Sequence, residues 1–180
     1  MATRRAALLG LCAVLGSCGF RPLLKSADGA PGVREQLAAV EVAGLTGRTG
    51  YLVRDGLLDQ LNPTGLEVPE RYRLDVRLRQ RTGALGIQLD NTITRYNLRL
   101  VARFSLIDAS TRRVLYRAVV RRIASYNAIR APYAELAAER DAERRAAREV
   151  STDIRIQLAL HFARQAEAEA EADPTEAAPS

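Results

Sequence analysis

Regular alternation of apolar and polar residues through the middle of the chain constrains its fold more than any other feature. Tyr72, Leu74, Val76 and Leu78 alternate with Arg73, Asp75, Arg77 and Arg79. From Thr94 the pattern resumes, with Tyr96, Leu98, Leu100, Ala102, Phe104 and Leu106 in one phase and Asn97, Arg99, Arg103 and Ser105 in the other. After Asp108 to Arg112, a turn of hairpin length, Val114, Tyr116, Ala118 and Val120 alternate with Arg117 and Arg121. A period of two sends successive side chains to opposite faces of a strand. Gly83 and Gly86 mark a turn or bend after the first stretch. Two or three consecutive strands of this kind form an antiparallel meander, dry on one face and wet on the other.

The rest of the chain supplies cover for the dry face. Ala38 to Leu45, a short apolar run around Val40 and Val42, is expected to be a first strand. Arg48 to Asn62 reads as a helix: Val53, Leu57 and Leu61 recur at spacing four, with Leu58 on the same stripe, and Pro63 and Gly65 stop it. Pro132 opens a long helix to about Gln165, a first-turn position that suits proline. Its second half carries a stripe of Ala147, Val150, Ile154, Leu158 and Phe162. The first half, Glu139 to Arg148, is mostly charge and alanine and is expected to project past the sheet. The order β-α-β-β-β-α predicts an α+β fold: a two-layer sandwich, with a mostly antiparallel sheet of about four strands and two helices packed on one face. Residues 37–165 are the expected domain and 18–36 a tether containing Pro22, Gly29, Pro31 and Gly32. Residues 166–180, an Ala-Glu repeat ending with two prolines, are expected to be a disordered acidic tail.

The first 17 residues read as an export signal. Arg4 and Arg5 give a positive start, and Ala6 to Leu15 is an apolar run far short of the roughly 20 residues that span a bilayer. Leu15-Gly16-Ser17-Cys18 resembles the lipobox of bacterial lipoproteins, in which the cysteine is acylated and becomes the new amino terminus. Two or three acyl chains anchor stably where one does not. Gly19, in place of the aspartate that favours inner-membrane retention in enteric bacteria, points to the outer membrane. Covalent acyl chains on Cys18 are the only added group expected, with no other cofactor.

Catalysis has little to work with. Cys12 leaves with the signal and Cys18 is capped, so no thiol remains, and His161 is the only histidine. A Cys/His zinc site needs three or four ligands and cannot be assembled within this chain. Glu135, Glu139, Asp141 and Glu143 interleave with Arg140 and Arg144, which reads as ion pairing along a helix surface. Gly44, Gly47 and Gly50 match neither the dinucleotide nor the P-loop spacing and read as a flexible turn. The chain is therefore read as non-enzymatic.

Charge is the remaining signal. The formal net charge is +6, and Lys25 is the only lysine among 27 basic residues. From Arg71 to Arg122 thirteen arginines face three aspartates, and the period of two gathers most of them on one side of the sheet. Like charges there repel, so the face is either a solvated surface in an arginine-rich chain or a surface for polyanions. Guanidinium forks match phosphate oxygens in pairs. Export removes nucleic acid as the partner and leaves lipid phosphates and acidic sugars. Arg77, Arg79, Arg99, Arg103, Arg117 and Arg121 are the candidate anion-binding residues.

A family resemblance follows from these stretches. Cys18-Gly19-Phe20-Arg21-Pro22-Leu23 after a lipobox looks like the mature start of the LptE family of lipopolysaccharide-assembly lipoproteins. Three further segments resemble its alphaproteobacterial branch: Thr94 to Leu100, Ser125-Tyr126-Asn127, and Pro132-Tyr133-Ala134 with Ala138 to Ala142 and the helix ending near His161-Phe162. The resemblance implies an outer-membrane lipoprotein on the periplasmic face. It implies a body plugged into the lumen of an LptD-like β-barrel, and participation in lipopolysaccharide transport. The alternative from another class is a stand-alone envelope lipoprotein that binds anionic lipid or glycan.

Overall fold

The computed structural model describes residues 32–87, 93–127 and 131–172. The expected signal peptide, Cys18, the tether up to residue 31 and the tail beyond residue 172 lie outside the described residues. In chain order the elements are α1 (Val33–Ala38), β1 (Val40–Val42), α2 (Gly47–Leu61), β2 (Tyr72–Ile87), β3 (Ile93–Asp108), β4 (Val114–Asn127) and α3 (Pro132–Ala172). The strands form one sheet in the order β1-β2-β3-β4. β2, β3 and β4 are antiparallel neighbours, the meander that alternation predicts. β1 pairs with β2 in parallel, as a strand joined through a crossover helix must. The α+β sandwich is thus the observed architecture.

Its core lies between the dry face and the helices. Leu74, Leu98, Leu100, Ala102, Phe104 and Leu106 are buried, against Val53, Leu57 and Leu61 of α2 and Val150, Ile154, Leu158 and Phe162 of α3. β2 runs through both glycines expected to mark a turn or bend: Gly83 pairs in register with Asn97, and the register shifts only around Gly86, between Ala84 and Ile87. The 108–112 turn is held by Asp108, whose Oδ1 accepts from the Ser110 and Thr111 amides and hydroxyls. Those bonds lower its carboxyl pKa to about 2.

α2 and α3 meet at their smallest residues. Ser151, fully buried on α3, donates its hydroxyl within 3.0 Å of both the Val53 and the Ala147 carbonyls, one proton shared between two acceptors. A Cβ at Gly56 would stand 3.0 Å from Ser151 Oγ and 3.3 Å from its Cβ. The two helices approach this closely only because residue 56 has no side chain. Gly56→Val should therefore destabilise the fold by about 1–3 kcal/mol through overpacking, read as a lowered urea midpoint at unchanged slope.

The observed fold departs from the sequence-based expectation at several further points. The tether ends before residue 33: Val33 and Leu37, four apart on α1, are buried in the core, which makes three helices rather than two. α3 continues to Ala172, seven residues into the stretch read as disordered tail, because alanine and glutamate are strong helix formers. Its first half does not project past the sheet; Ala142, Ala146 and Ala147 are buried. Leu58 leaves the α2 stripe and is 40% exposed, since it lies one residue around from Leu57. Val114 falls on the wet face, opposite Ile107, because the register slips between Leu106 and Ile107. Such a slip reverses the side that each residue presents.

His161 closes the end of the core. Its ring stacks on Tyr116 at 4.8 Å and 19°, and lies 5.7 Å from Phe162. Nε2 is buried and has no hydrogen-bond partner among the described residues. Burial, with Arg164 adding a smaller repulsion, holds the imidazole pKa below its ordinary 6.5. Above that value both folded and unfolded chains are neutral at this site and its contribution to stability is complete. As pH falls through 6.5 toward the lower folded value, the unfolded chain takes up a proton first and stability drops. His161→Phe should flatten urea midpoints across that window, whereas the turn carboxyl of Asp108 acts only below its ordinary 3.8.

Candidate functional site

The wet face of the meander is a checkerboard set by strand register. Across β2, β3 and β4 one row reads Arg79, Val101, Arg121; the next reads Arg81, Arg99, Ile123. On the other side lie Arg77, Arg103, Val119, then Asp75, Ser105, Arg117. All six predicted arginines stand on this face and all are exposed. Two pairs, Arg77 with Arg103 and Arg81 with Arg99, lie directly opposite each other, a placement that costs stability.

Two adjoining concavities divide the face. One, of about 570 Å³, is walled by Arg79, Arg81, Arg99, Arg103 and Arg121 around Val101 and Ile123. The second, of about 500 Å³, contains Arg77, Arg117 and Asp75, with Ile107, Val114 and Val119. Arg103 lines both, so the structure brings the six predicted arginines into one continuous surface. Among the described residues no carboxylate lies within ion-pair distance of these six or of Arg81. Asp75 is held by Arg73 Nε at 3.1 Å, and Glu41 of β1 stands across from Arg73 on the same side of the sheet.

Arginines elsewhere are treated differently. Arg122, one residue on from Arg121, points to the helix side and is paired with Asp153 and, at 4.0 Å, with Glu149. Glu143 does not pair along its own helix. Its carboxylate accepts from Arg48 Nε of α2 and Gln80 Nε2 of β2, each at 3.0 Å, and so ties three elements together. Asp141 pairs with Arg144 and Arg145 along α3, as helix spacing predicts. Carboxylates are therefore plentiful on the helix layer and nearly missing from the sheet face.

Sequence reading missed Arg81 as a lining residue, and missed the apolar floor of Val101 and Ile123. Their signal was present in the phase of the alternation: both lie in register with the outward arginines. Chemically, the surface offers several guanidinium forks around a small apolar patch. That suits a ligand with clustered phosphates or carboxylates attached to hydrocarbon better than a purely hydrophilic polyanion. Cys18 lies outside the described residues.

The model for LptE, lipopolysaccharide-assembly, matches residues 36–158 of this chain, from α1 through most of α3 and across every strand. The chain belongs to the LptE family. LptE proteins are non-enzymatic, and membership places this chain in lipopolysaccharide transport. Among solved structures, a candidate lipoprotein from Caulobacter crescentus is 27% identical with a TM-score of 0.61, covering 71% of this chain and 93% of its own. A minor lipoprotein from Acinetobacter baumannii shares the fold at 20% identity and a TM-score of 0.54, over 68% of this chain and 90% of its own. No curated protein matches at a significant level. The order of elements expected of an LptE protein agrees with the observed one, with α1 added in front of the first strand.

Proposed function

We propose that this LptE protein is an outer-membrane lipoprotein, held at the periplasmic face by acyl chains on Cys18. Its body plugs an LptD-type β-barrel, helps that barrel to assemble, and takes part in inserting lipopolysaccharide. The observation that carries the reading is the sheet face of unpaired arginines in a chain of the lipopolysaccharide-assembly family. Arg77, Arg79, Arg99, Arg103, Arg117 and Arg121 offer guanidinium forks to the phosphates of the lipid, and Val101 and Ile123 give its apolar part a place to rest. A barrel lumen is polar, so the charged faces of the sandwich are compatible with lying inside one.

The test is purification of a tagged chain from detergent-solubilised outer membranes, with mass spectrometry of its amino terminus. The reading expects an acylated Cys18 and a large β-barrel recovered in near one-to-one amount. Recovery without a barrel, from the same membranes and with lipopolysaccharide binding intact, would favour the stand-alone lipoprotein instead. A free Cys18 thiol would remove the anchor altogether.

A further inference from the structure

β4 is the last strand of the sheet, and among the described residues its only strand neighbour is β3. Along its 14 residues, Val114–Asn127, the free side presents backbone donors and acceptors with no strand to meet them. Edges of this length template further strands, and proteins usually blunt them with brevity, proline or cover. β4 contains no proline. Arg145 Nη2 of α3 reaches the Ser125 carbonyl at 3.1 Å near one end.

The guard along the rest is charge. Arg117 and Arg121 stand on the outer face with no carboxylate partner among the described residues, and Val119 and Ile123 beside them are 38% and 52% exposed. Arg122, on the inner face, is already occupied by Asp153 and Glu149. A guard made of positive charge is selective: it turns away basic strands and admits an acidic one.

We propose that the free edge of β4 accepts an extended segment of a partner protein as a fifth antiparallel strand. The segment carries two carboxylates at the spacing of Arg117 and Arg121, with a small apolar residue midway between them. In that register each carboxylate lies across from a guanidinium and the apolar residue lies beside Val119, the cross-strand pairings that stabilise a sheet. A second copy of the chain fits poorly, because its own edge brings the same arginines. The inference rests on strand order and charge; it shares Arg117 and Arg121 with the proposed lipid surface, so an acidic strand and the lipid phosphates would compete for these two side chains.

The probe is a synthetic peptide of about ten residues, alternating valine and threonine, with two glutamates four apart. It is added to the full mature chain in detergent while amide hydrogen exchange is followed. Alternate amides of β4 should gain protection. The double variant Arg117→Glu, Arg121→Glu should weaken binding by about tenfold or more, while Arg79→Glu, two strands away, should change it by less than about threefold. Peptide binding without protection in β4 would overturn the proposal, as would no binding at millimolar peptide or equal losses for Arg79→Glu. Protected β4 amides in a peptide-free dimer would overturn it in favour of self-pairing.

Discussion

Replacing Phe162 by alanine is expected to remove about 3–5 kcal/mol of stability, the usual range for emptying a buried aromatic site. Phe162 is fully buried. Its ring sits 5.0 Å from that of Tyr72 at the start of β2, and His161 beside it stacks on Tyr116 of β4. The ring therefore ties α3 to a strand far from it in sequence, and the gap left by its loss is lined by stiff neighbours that cannot all collapse into it. Since domains of this size are stable by only about 5–15 kcal/mol, the variant should be close to unfolding at 37 °C. Leu160→Ala is the control: Leu160 lies two residues earlier on the same helix, is 44% exposed, and should change stability by less than about 1 kcal/mol. Urea denaturation of the two variants, followed by circular dichroism, gives the comparison. Equal losses would mean that α3 does not seat on the sheet through this ring.

Charge reversal on the sheet face should move binding and stability in opposite directions. Arg99 stands directly opposite Arg81, so Arg99→Glu exchanges a repulsive cross-strand pair for an attractive one and should leave the fold equally stable or slightly more so. The same change sets a carboxylate in the wall of the larger concavity, where the proposed lipid phosphates would lie. With Arg79→Glu and Arg121→Glu added, affinity for lipopolysaccharide should fall on the order of tenfold per site, from loss of a charge-assisted contact and gain of a repulsion. A surface kept at the expense of stability is what a binding role would require; a merely solvated face would show the stability gain with no change in affinity. Calorimetric titration of the single and triple variants, alongside thermal melts, reads both quantities.

The parts of this molecule legible in its sequence are those where one local period governs. Tyr72 to Leu78 and Tyr96 to Leu106 face as alternation demands, because each strand buries one side against helices and leaves the other in water. The stripe from Ala147 to Phe162 reads correctly for the same reason. What escaped was decided by contacts distant in sequence. α1 is six residues long, too short to be stable by itself, and exists because Val33 and Leu37 find room in the core. Val114 could not be placed without the slip at Leu106 and Ile107, which belongs to the pairing of two strands and to neither alone. Ala142 and Ala146 looked like the uncommitted surface of a charged helix, but small residues are what a close approach between α3 and its neighbours requires. The candidate site was half legible. Which arginines share a face follows from their parity; that Arg103 joins two concavities, and that Arg81 completes one, depends on register across β2, β3 and β4.

All of this turns on whether the unpaired guanidiniums hold the anionic lipid. Binding of purified lipopolysaccharide to the mature chain, followed as salt is raised from about 0.05 to 0.5 M, asks this most directly, since exposed charges act over a distance that salt shortens. Affinity should fall steeply for the native chain, by about tenfold or more, and the triple variant should start weak and barely respond. An affinity that stays level across the range, or the same slope in both proteins, would contradict the account.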